Sequence, residues 1–379
     1  MLILIFLLRV VVFGLGFFIV GATFLSALRT FVLPRSATDI FSRTVFIWMR
    51  YLVEIRMRGL STFRQRDRAM ELYAPLSLLA LLVVWLVCIQ LGYMCMIWAV
   101  DGALWYDAFK ISGSSLLTLG FSVVDNFPST LLVFSEAIIG LVLIALLIAY
   151  LPTIYSAFER RESAVTMLEV RAGSPPSAVE MIIRYSRLKR LDQLGEIWTA
   201  WEVWFVDIEE SHTSLAALSF LRSPQPHRSW VTAAGAVLDA ASLVLSSVDI
   251  PRDSQADLCI RAGYLSLRYI CELFRIPYHP NPDATDPISI SRSEFEVALD
   301  QMVAAGVPVL QDREQAWKDY RGWRVNYDTV LLALAELTMA PTAPWSSDRL
   351  LKNAPPVVLR WRKGAKPVET HEWLPPSDL

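Results

Sequence analysis

The chain has 379 residues, of which 54% are apolar and 19% are charged, and its formal net charge at pH 7 is −2. A mean hydropathy of +0.41 excludes a disordered chain and a coiled coil, and the balanced charge excludes a nucleic-acid module held by bulk positive charge. Four scattered cysteines are too few for a disulfide framework. Positive hydropathy at this length is typical of membrane-spanning helices.

The apolar residues are concentrated before residue 159 and form three long runs, in which Arg9 and Glu136 are the rare charged groups. Each run exceeds the about 20 residues that a helix needs to cross the hydrocarbon core of a bilayer. The first run has neither the basic start nor the small-residue cleavage site of a signal peptide, so we expect it to be retained. We predict three membrane-spanning helices, at residues 1–33, 72–100 and 128–158.

The distribution of arginine and lysine predicts the orientation of these helices. The connection from Pro34 to Glu71 has eight arginines and four acidic residues, whereas that from Asp101 to Pro128 has one lysine and three aspartates. We therefore expect the first connection in the cytoplasm and the second outside. The N-terminus then lies outside and the chain after Phe158 is cytoplasmic, as in a multi-pass protein of the cell membrane, inner or plasma.

The basic linker at residues 34–71 contains a candidate amphipathic helix. Residues 38–56 place apolar side chains at helical spacing with arginines beside them. This pattern is typical of a helix that lies in the membrane interface. The alternative is a solvated connector that packs on the soluble part of the chain.

The soluble part, residues 161–340, has helical periodicity nearly throughout, with proline-containing breaks between the candidate helices. Residues 341–379 contain seven prolines, which indicates a loosely ordered tail. We therefore predict an all-α membrane protein with an all-α cytoplasmic domain. No dinucleotide-binding glycine motif follows a strand, so a nucleotide-binding domain of that type is not indicated.

The connection between the second and third spans is too apolar for a solvated loop and too long for a turn. Residues 104–117 can form a short helix, and an extended, glycine-containing stretch at 118–122 follows it directly. Irregular backbone at membrane depth is tolerated only inside protein or along a water-filled cavity. The pattern predicts a re-entrant pore helix and filter loop; the alternative is a plain turn between a packed helix and a span.

Residues 72–160 resemble the potassium-channel pore-loop superfamily, in its simple form of two spans and one pore loop. The short helix, the filter-like stretch and the helix that follows it match in register without a gap. The resemblance implies a homotetramer whose subunits each supply a quarter of a selectivity filter for potassium or another monovalent cation. The matched residues are Asp107, Ala108, Phe109, Ser112 and Ser115 in the pore helix, and Thr118, Leu119, Gly120 and Phe121 in the filter.

A dehydrated cation needs rings of oxygen atoms in place of its water shell. The backbone carbonyls of residues 118–121 and the Thr118 hydroxyl supply such oxygens when four copies meet. Gly120 permits the positive φ that lets successive carbonyls point the same way. Ser122 and Val123 stand where the superfamily has glycine and an acidic residue, so we expect fewer well-formed ion sites and weaker potassium selectivity.

Glu136, Gly140 and Ser115 are predicted to support the pore. Glu136 is a carboxylate at membrane depth, which by default indicates function, but we favour a structural role in which it binds the pore helix through Ser114, Ser115 or the backbone. Gly140 either lets the inner helix bend or lets it approach a neighbour closely.

Two weaker candidate sites lie in the soluble part. Arg222, His227 and Arg228 precede a strong candidate helix and could hold an anion, although loop capping and salt bridging are the favoured explanation. The second candidate is a divalent-metal site at Asp207, Glu210 and His212, for which a solvated helix end is the favoured alternative.

The sequence contains no nucleophile elbow, HExxH motif or Walker loop, so we do not expect an enzyme. We predict a tetrameric cation channel in membrane lipid, without cofactor or nucleic acid, whose cytoplasmic domain binds an unknown gating ligand. The alternative is a non-conducting membrane-anchored sensor or scaffold that retains the channel architecture.

Overall fold

The structure, a computed structural model, describes residues 2–33, 39–60, 62–102 and 104–349. Within these residues every regular element is helical, apart from one isolated bridge between Val248 and Val309. The all-α prediction is therefore confirmed. Part of the predicted linker and most of the predicted proline-rich tail lie outside the described residues. The chain divides into two compact units: unit 1 is Met1–Glu159 with Thr213–Leu221, and unit 2 is Arg160–His212 with Arg222–Leu379.

Unit 1 is built from long apolar helices and shorter elements between them. Asp39 caps the second helix by accepting from the N–H groups of Phe41 and Ser42, and Thr62 forms a capping box with Gln65 at the start of the third. The helices are α1 (Leu2–Phe31), α2 (Ile40–Met57), α3 (Phe63–Glu71), α4 (Tyr73–Asp101), α5 (Trp105–Leu116) and α6 (Phe127–Ala172), of which the last continues into unit 2.

Helices α1 and α4 pack antiparallel through a glycine contact. A Cβ added to Gly16 would lie 2.4 Å from the Gly92 carbonyl oxygen, so only glycine allows this approach of the two backbones. One end of the pair is held by a hydrogen bond from Trp85 Nε1 to Ser26 Oγ at 3.0 Å. The first helix is thus an integral part of unit 1.

Helix α6 extends further than the predicted inner helix, which ends at residue 158. The charged residues after Phe158 are good helix formers, so the helix continues to Ala172. Pro152 lies inside the helix, where it removes one backbone hydrogen bond without ending the element.

Four helical segments of the described residues are long and apolar enough, by length and composition, to cross a membrane. Three of them coincide with the predicted spans, and the fourth lies in the predicted cytoplasmic domain. The apolar window of this fourth segment is 94% buried inside the protein. The segments are Leu2–Phe31, Phe63–Asp101, Phe127–Ala172 and Trp230–Ser247.

Unit 2 is a bundle of shorter helices around a central apolar helix. That helix begins after the Ser229 cap and is buried along nearly its whole length. Serine or aspartate caps stand at Ser177, Asp253, Ser291 and Asp312. The helices are α7 (Ala178–Arg187), α8 (Leu194–Ser214), α9 (Trp230–Ser247), α10 (Ser254–Leu273), α11 (Arg292–Ala304), α12 (Arg313–Arg324) and α13 (Asp328–Thr338).

A fully buried ion network crosses the core of unit 2. Arg324 Nη1 donates to both carboxylate oxygens of Asp239, at 2.6 and 2.8 Å, and its Nε donates to Asp328 at 2.7 Å. Its remaining Nη2 donates to the Trp345 carbonyl at 2.7 Å. Each charge in this apolar core is therefore paired, as burial requires.

Candidate functional site

The candidate site is the segment between α4 and α6, with α5 and the loop that follows it. Helix α5 occupies Trp105–Leu116, within the predicted range 104–117. After it the backbone takes positive φ at Thr118 (55°) and at Gly120 (71°), separated by Leu119. The positive φ expected at Gly120 is confirmed, whereas that at Thr118 was not expected.

Hydrogen bonds fix α5 against the helices on either side of it. Ser112 Oγ lies 2.5 Å from Glu136 Oε1 on α6 and 3.2 Å from the Gln90 carbonyl on α4. Ser115 Oγ donates to the Val133 carbonyl on α6 at 2.5 Å. Glu136 therefore contacts α5, as the structural prediction requires, but its partner is Ser112 and not the expected Ser114 or Ser115.

Gly140 packs against the last turn of α5. A Cβ at this position would lie 2.6 Å from the Leu116 carbonyl oxygen, so α6 approaches α5 more closely than any side chain permits. The predicted close packing therefore occurs, inside the same chain.

Ser114 organises the loop through two of its oxygen atoms. Its backbone carbonyl accepts from the N–H groups of Leu119 at 2.8 Å and Gly120 at 3.3 Å. Its side-chain Oγ accepts from the N–H groups of Phe121 at 3.0 Å and Ser122 at 3.1 Å. Four consecutive backbone donors thus converge on one residue of α5.

This convergence sets the direction of the neighbouring carbonyl groups. In a trans peptide the C=O of one residue points opposite to the N–H of the next, and the loop contains no cis bond. Since the N–H groups of residues 119–122 point to Ser114, the carbonyls of residues 118–121 point away from it. The four oxygens named in the sequence prediction therefore lie on the side of the loop opposite to α5.

The loop as a whole is exposed in the single chain. Leu119 is 60% and Phe121 is 63% exposed, although both are large apolar residues. Gly120 has open space around its α-carbon, with no atom within 4 Å of an added Cβ. An exposed apolar patch of this kind is typical of a surface that another chain covers.

Polar contacts and an aromatic pair join the helix ends beside the site. Asp101 Oδ1 at the end of α4 accepts from Asn126 Nδ2 and from Ser129 Oγ, both at 2.5 Å. The rings of Trp98 and Trp105 stack at 4.9 Å between centroids. Such aromatic residues are enriched where a span enters the interface.

The predicted anion residues in unit 2 already have partners in the chain. Arg222 Nη1 donates to the carbonyls of Thr338 and Met339, at the C-terminus of α13. Arg228 Nε donates to Glu169 at 2.6 Å, and His227 lines a small surface pocket beside it. These contacts match the alternative of capping and salt bridging, and an anion site here stays a prediction.

The predicted metal residues face different surroundings. Asp207 pairs with Arg160 at 3.2 Å, Glu210 is exposed, and His212 is fully buried. In the described residues no group of three or more His, Cys, Asp or Glu side chains is placed to hold a metal ion. Burial and then the guanidinium of Arg161, whose Nη1 lies 3.3 Å from Nε2, hold the pKa of His212 well below 6.5.

Unit 2 also contains a cavity of about 390 Å³. Asp239 at its wall is already bound by Arg324, while Gln301 and Trp345 offer an amide and an aromatic ring. A gating ligand for this unit stays a prediction.

The sequence prediction missed the role of Ser114 in the loop and that of Gln90 on α4. The signal was present, because Ser112, Ser114 and Ser115 crowd one turn of a short helix in an otherwise apolar region. Buried hydroxyls in such a place need acceptors or donors nearby.

Comparison with protein families, with curated proteins and with solved structures finds no match for this chain.

Proposed function

We propose that this chain is one subunit of a homotetrameric cation channel, with residues 118–122 as its filter. One observation carries the proposal: the backbone carbonyls of residues 118–121 share one side of an exposed loop, because Ser114 holds the N–H groups from Leu119 to Ser122. A ladder of carbonyl oxygens is the chemistry that replaces the water shell of a monovalent cation. In four copies around one axis, the equivalent carbonyl oxygens of the four subunits would form a ring at each position of the loop.

The packing of α5 supports this function. A filter must keep its oxygens in place as ions pass, so its supporting helix needs firm attachment. Ser112, Ser115 and Gly140 join α5 to the helices that flank it. In this proposal α4 is the outer helix and the apolar part of α6 is the pore-lining helix.

We further propose three spans in each subunit, formed by α1, α4 and the first part of α6. The fourth apolar segment, Trp230–Ser247, is 94% buried inside the protein, which favours a core helix of a soluble unit over a lipid-facing span. In this arrangement unit 2 is cytoplasmic and regulates the pore, and the N-terminus lies outside.

Ser122 and Val123, which stand where the potassium-channel superfamily has glycine and an acidic residue, predict a weakly selective pore. Positive φ occurs at Thr118 and Gly120, at every second residue, but Ser122 is not among the described residues with positive φ. The carbonyl of Ser122 therefore does not extend the row formed by residues 118–121. Val123 is 82% exposed and carries no charge to concentrate cations. We expect potassium to be favoured over sodium by only a small factor.

The test is ion flux through the purified full chain in liposomes. We expect potassium and sodium uptake that Gly120→Val abolishes while the tetramer persists in size-exclusion chromatography with light scattering. Gly14→Val is the control, since an added Cβ there meets no atom within 4 Å. The double change Ser122→Gly and Val123→Asp is expected to raise the preference for potassium.

Two results would contradict the proposal. A confirmed tetramer without flux under any ionic condition would favour the sensor or scaffold. A conducting protein whose flux is unaffected by Gly120→Val would place the ion path elsewhere.

A further inference from the structure

Helix α2 presents an apolar stripe that nothing in the described residues covers. Trp48 is 62% exposed, Leu52 55% and Ile55 45%, whereas Arg50 and Met57 on the opposite side of the helix are buried. Tyr51 widens the stripe and packs its ring against Trp48 at 6.3 Å between centroids. A stripe of this width along one face is typical of a helix that lies on a lipid surface.

Arginines flank the stripe on both sides. At 100° per residue, Arg56 and Arg58 lie about 80° to either side of Trp48 around the helix axis. Both are exposed. Long basic side chains in this position reach the headgroups while the apolar face enters the acyl region.

Helix α3 continues the basic surface. Its arginines are exposed, and the nearby acidic groups only partly balance their positive charge. Glu54 forms an ion pair with Arg50, Asp67 is half-buried, and Glu71 lies at the far end of the helix. A guanidinium group suits phosphate because it offers two parallel N–H donors. The exposed arginines of this surface are Arg56 and Arg58, together with Arg64 and Arg68, which lie about 40° apart on one face of α3.

The stripe lies where a membrane surface is expected from the helices of unit 1. Ser42 near the start of α2 is bound to Thr30 in the last turn of α1, and Phe46 accepts from Tyr73 at the start of α4. From Tyr73 to Trp98, which belongs to the aromatic pair at the other end, α4 rises about 37 Å. This distance lies between the about 30 Å hydrocarbon core and the about 40–45 Å full thickness of a bilayer.

From these observations we propose that the α2–α3 surface binds the anionic headgroups of one membrane leaflet, with phosphatidylglycerol as the probe lipid. The apolar stripe inserts into the leaflet, and the four arginines Arg56, Arg58, Arg64 and Arg68 provide the preference for negative charge. This proposal is independent of whether the chain conducts ions.

The test compares full-length protein in vesicles of brominated phosphatidylglycerol with the same protein in brominated phosphatidylcholine. Brominated acyl chains quench a nearby indole, and the difference between wild type and Trp48→Phe isolates the signal of Trp48. We expect Trp48 to be quenched in both lipids. If it is quenched in neither, the stripe is covered by protein and the proposal is overturned.

The preference for negative charge is measured in mixed vesicles, as the ratio of quenching by brominated phosphatidylglycerol to that by brominated phosphatidylcholine. The quadruple variant Arg56→Gln, Arg58→Gln, Arg64→Gln and Arg68→Gln is expected to lower this preference about tenfold or more. The control removes the same number of exposed basic groups from unit 2, with Arg187→Gln, Lys189→Gln, Arg190→Gln and Arg261→Gln, and is expected to retain the preference. Equal loss in both variants, or no loss in either, overturns the proposal.

Wild-type protein gives a second measurement that does not depend on the folding of the variants. Raising the ionic strength screens contacts between exposed charges. We expect the preference for phosphatidylglycerol to fall as salt rises, and a preference that salt leaves unchanged overturns the role of the arginines.

Discussion

The backbone N–H of Ser122 donates to Ser114 Oγ at 3.1 Å, across eight positions of the chain. The same hydroxyl oxygen accepts from Phe121, so one small side chain fixes the last two donors of the loop. The stability of the loop conformation therefore depends on a single oxygen atom beyond the helix backbone.

We predict that Ser114→Ala loosens the loop without preventing assembly. Two backbone donors lose their acceptor, which costs about 1–3 kcal/mol for each donor that stays buried. In the flux assay we expect a loss of discrimination between potassium and sodium. Ser135→Ala is the control, because Ser135 bonds to Tyr93 and Leu132 and not to the loop; equal effects of both variants would contradict the role of Ser114.

We predict that Gly140→Ala impairs the site by separating α5 from α6. The added Cβ would meet the Leu116 carbonyl oxygen at 2.6 Å, and relief of such a contact costs about 1–3 kcal/mol. The measurement is the apparent Tm of the purified protein together with flux. Gly21→Ala on α1 has open space around the new methyl group and is expected to leave both unchanged.

We predict that His212 makes the protein acid-sensitive. Its pKa in the folded chain lies well below 6.5 because of burial and the neighbouring Arg161, so the unfolded chain takes up the proton first. The contribution of His212 to stability is therefore fully present above about pH 7 and is lost as the pH falls through 6.5. His212→Gln removes the titrating group and should flatten this decline in apparent Tm between pH 7.5 and pH 5.5, values chosen about one unit to either side of the usual histidine pKa.

The control for this prediction is His279→Gln, at an exposed position in a loop of unit 2. We expect it to retain the acid decline of the wild type. An unchanged decline in His212→Gln would assign the acid sensitivity to other groups.

We predict that Arg324→Leu strongly destabilises unit 2. The substitution leaves Asp239 and Asp328 buried without their cation, and breaking a buried pair in this way costs about 3–5 kcal/mol. Arg252→Leu is the control, because this arginine forms an exposed ion pair with Asp257 and such pairs contribute little. Unfolding followed by tryptophan fluorescence should separate the two variants clearly.

The apolar helices and the short helix before the loop could be predicted from the sequence because long runs without charge and helical spacing are strong local signals. The position of α5 and the positive φ at Gly120 follow from such signals. The continuation of α6 to Ala172 does not follow from the apolar pattern, because the charged residues after Phe158 mark the end of a span but are also good helix formers.

The detailed contacts of the site needed the structure. Three serines of α5 have equal chemistry in the sequence, and only packing decides that Ser112 contacts Glu136, Ser115 contacts Val133 and Ser114 holds the loop. In the same way, the sequence pattern around Arg222 and Arg228 suggests an anion site. The structure shows that these arginines bind Thr338 and Glu169, which are distant in sequence.

The glycine contact between α1 and α4 has a consequence for biosynthesis. Gly16 is synthesised well before Gly92, so α1 cannot form this contact until α4 has been synthesised. During this interval its polar groups Thr23 and Ser26, fully buried in the finished protein, have no α4 to cover them. We expect nascent α1 to stay beside the insertion machinery until α4 emerges, and bulky replacements at Gly16 to delay its release into lipid.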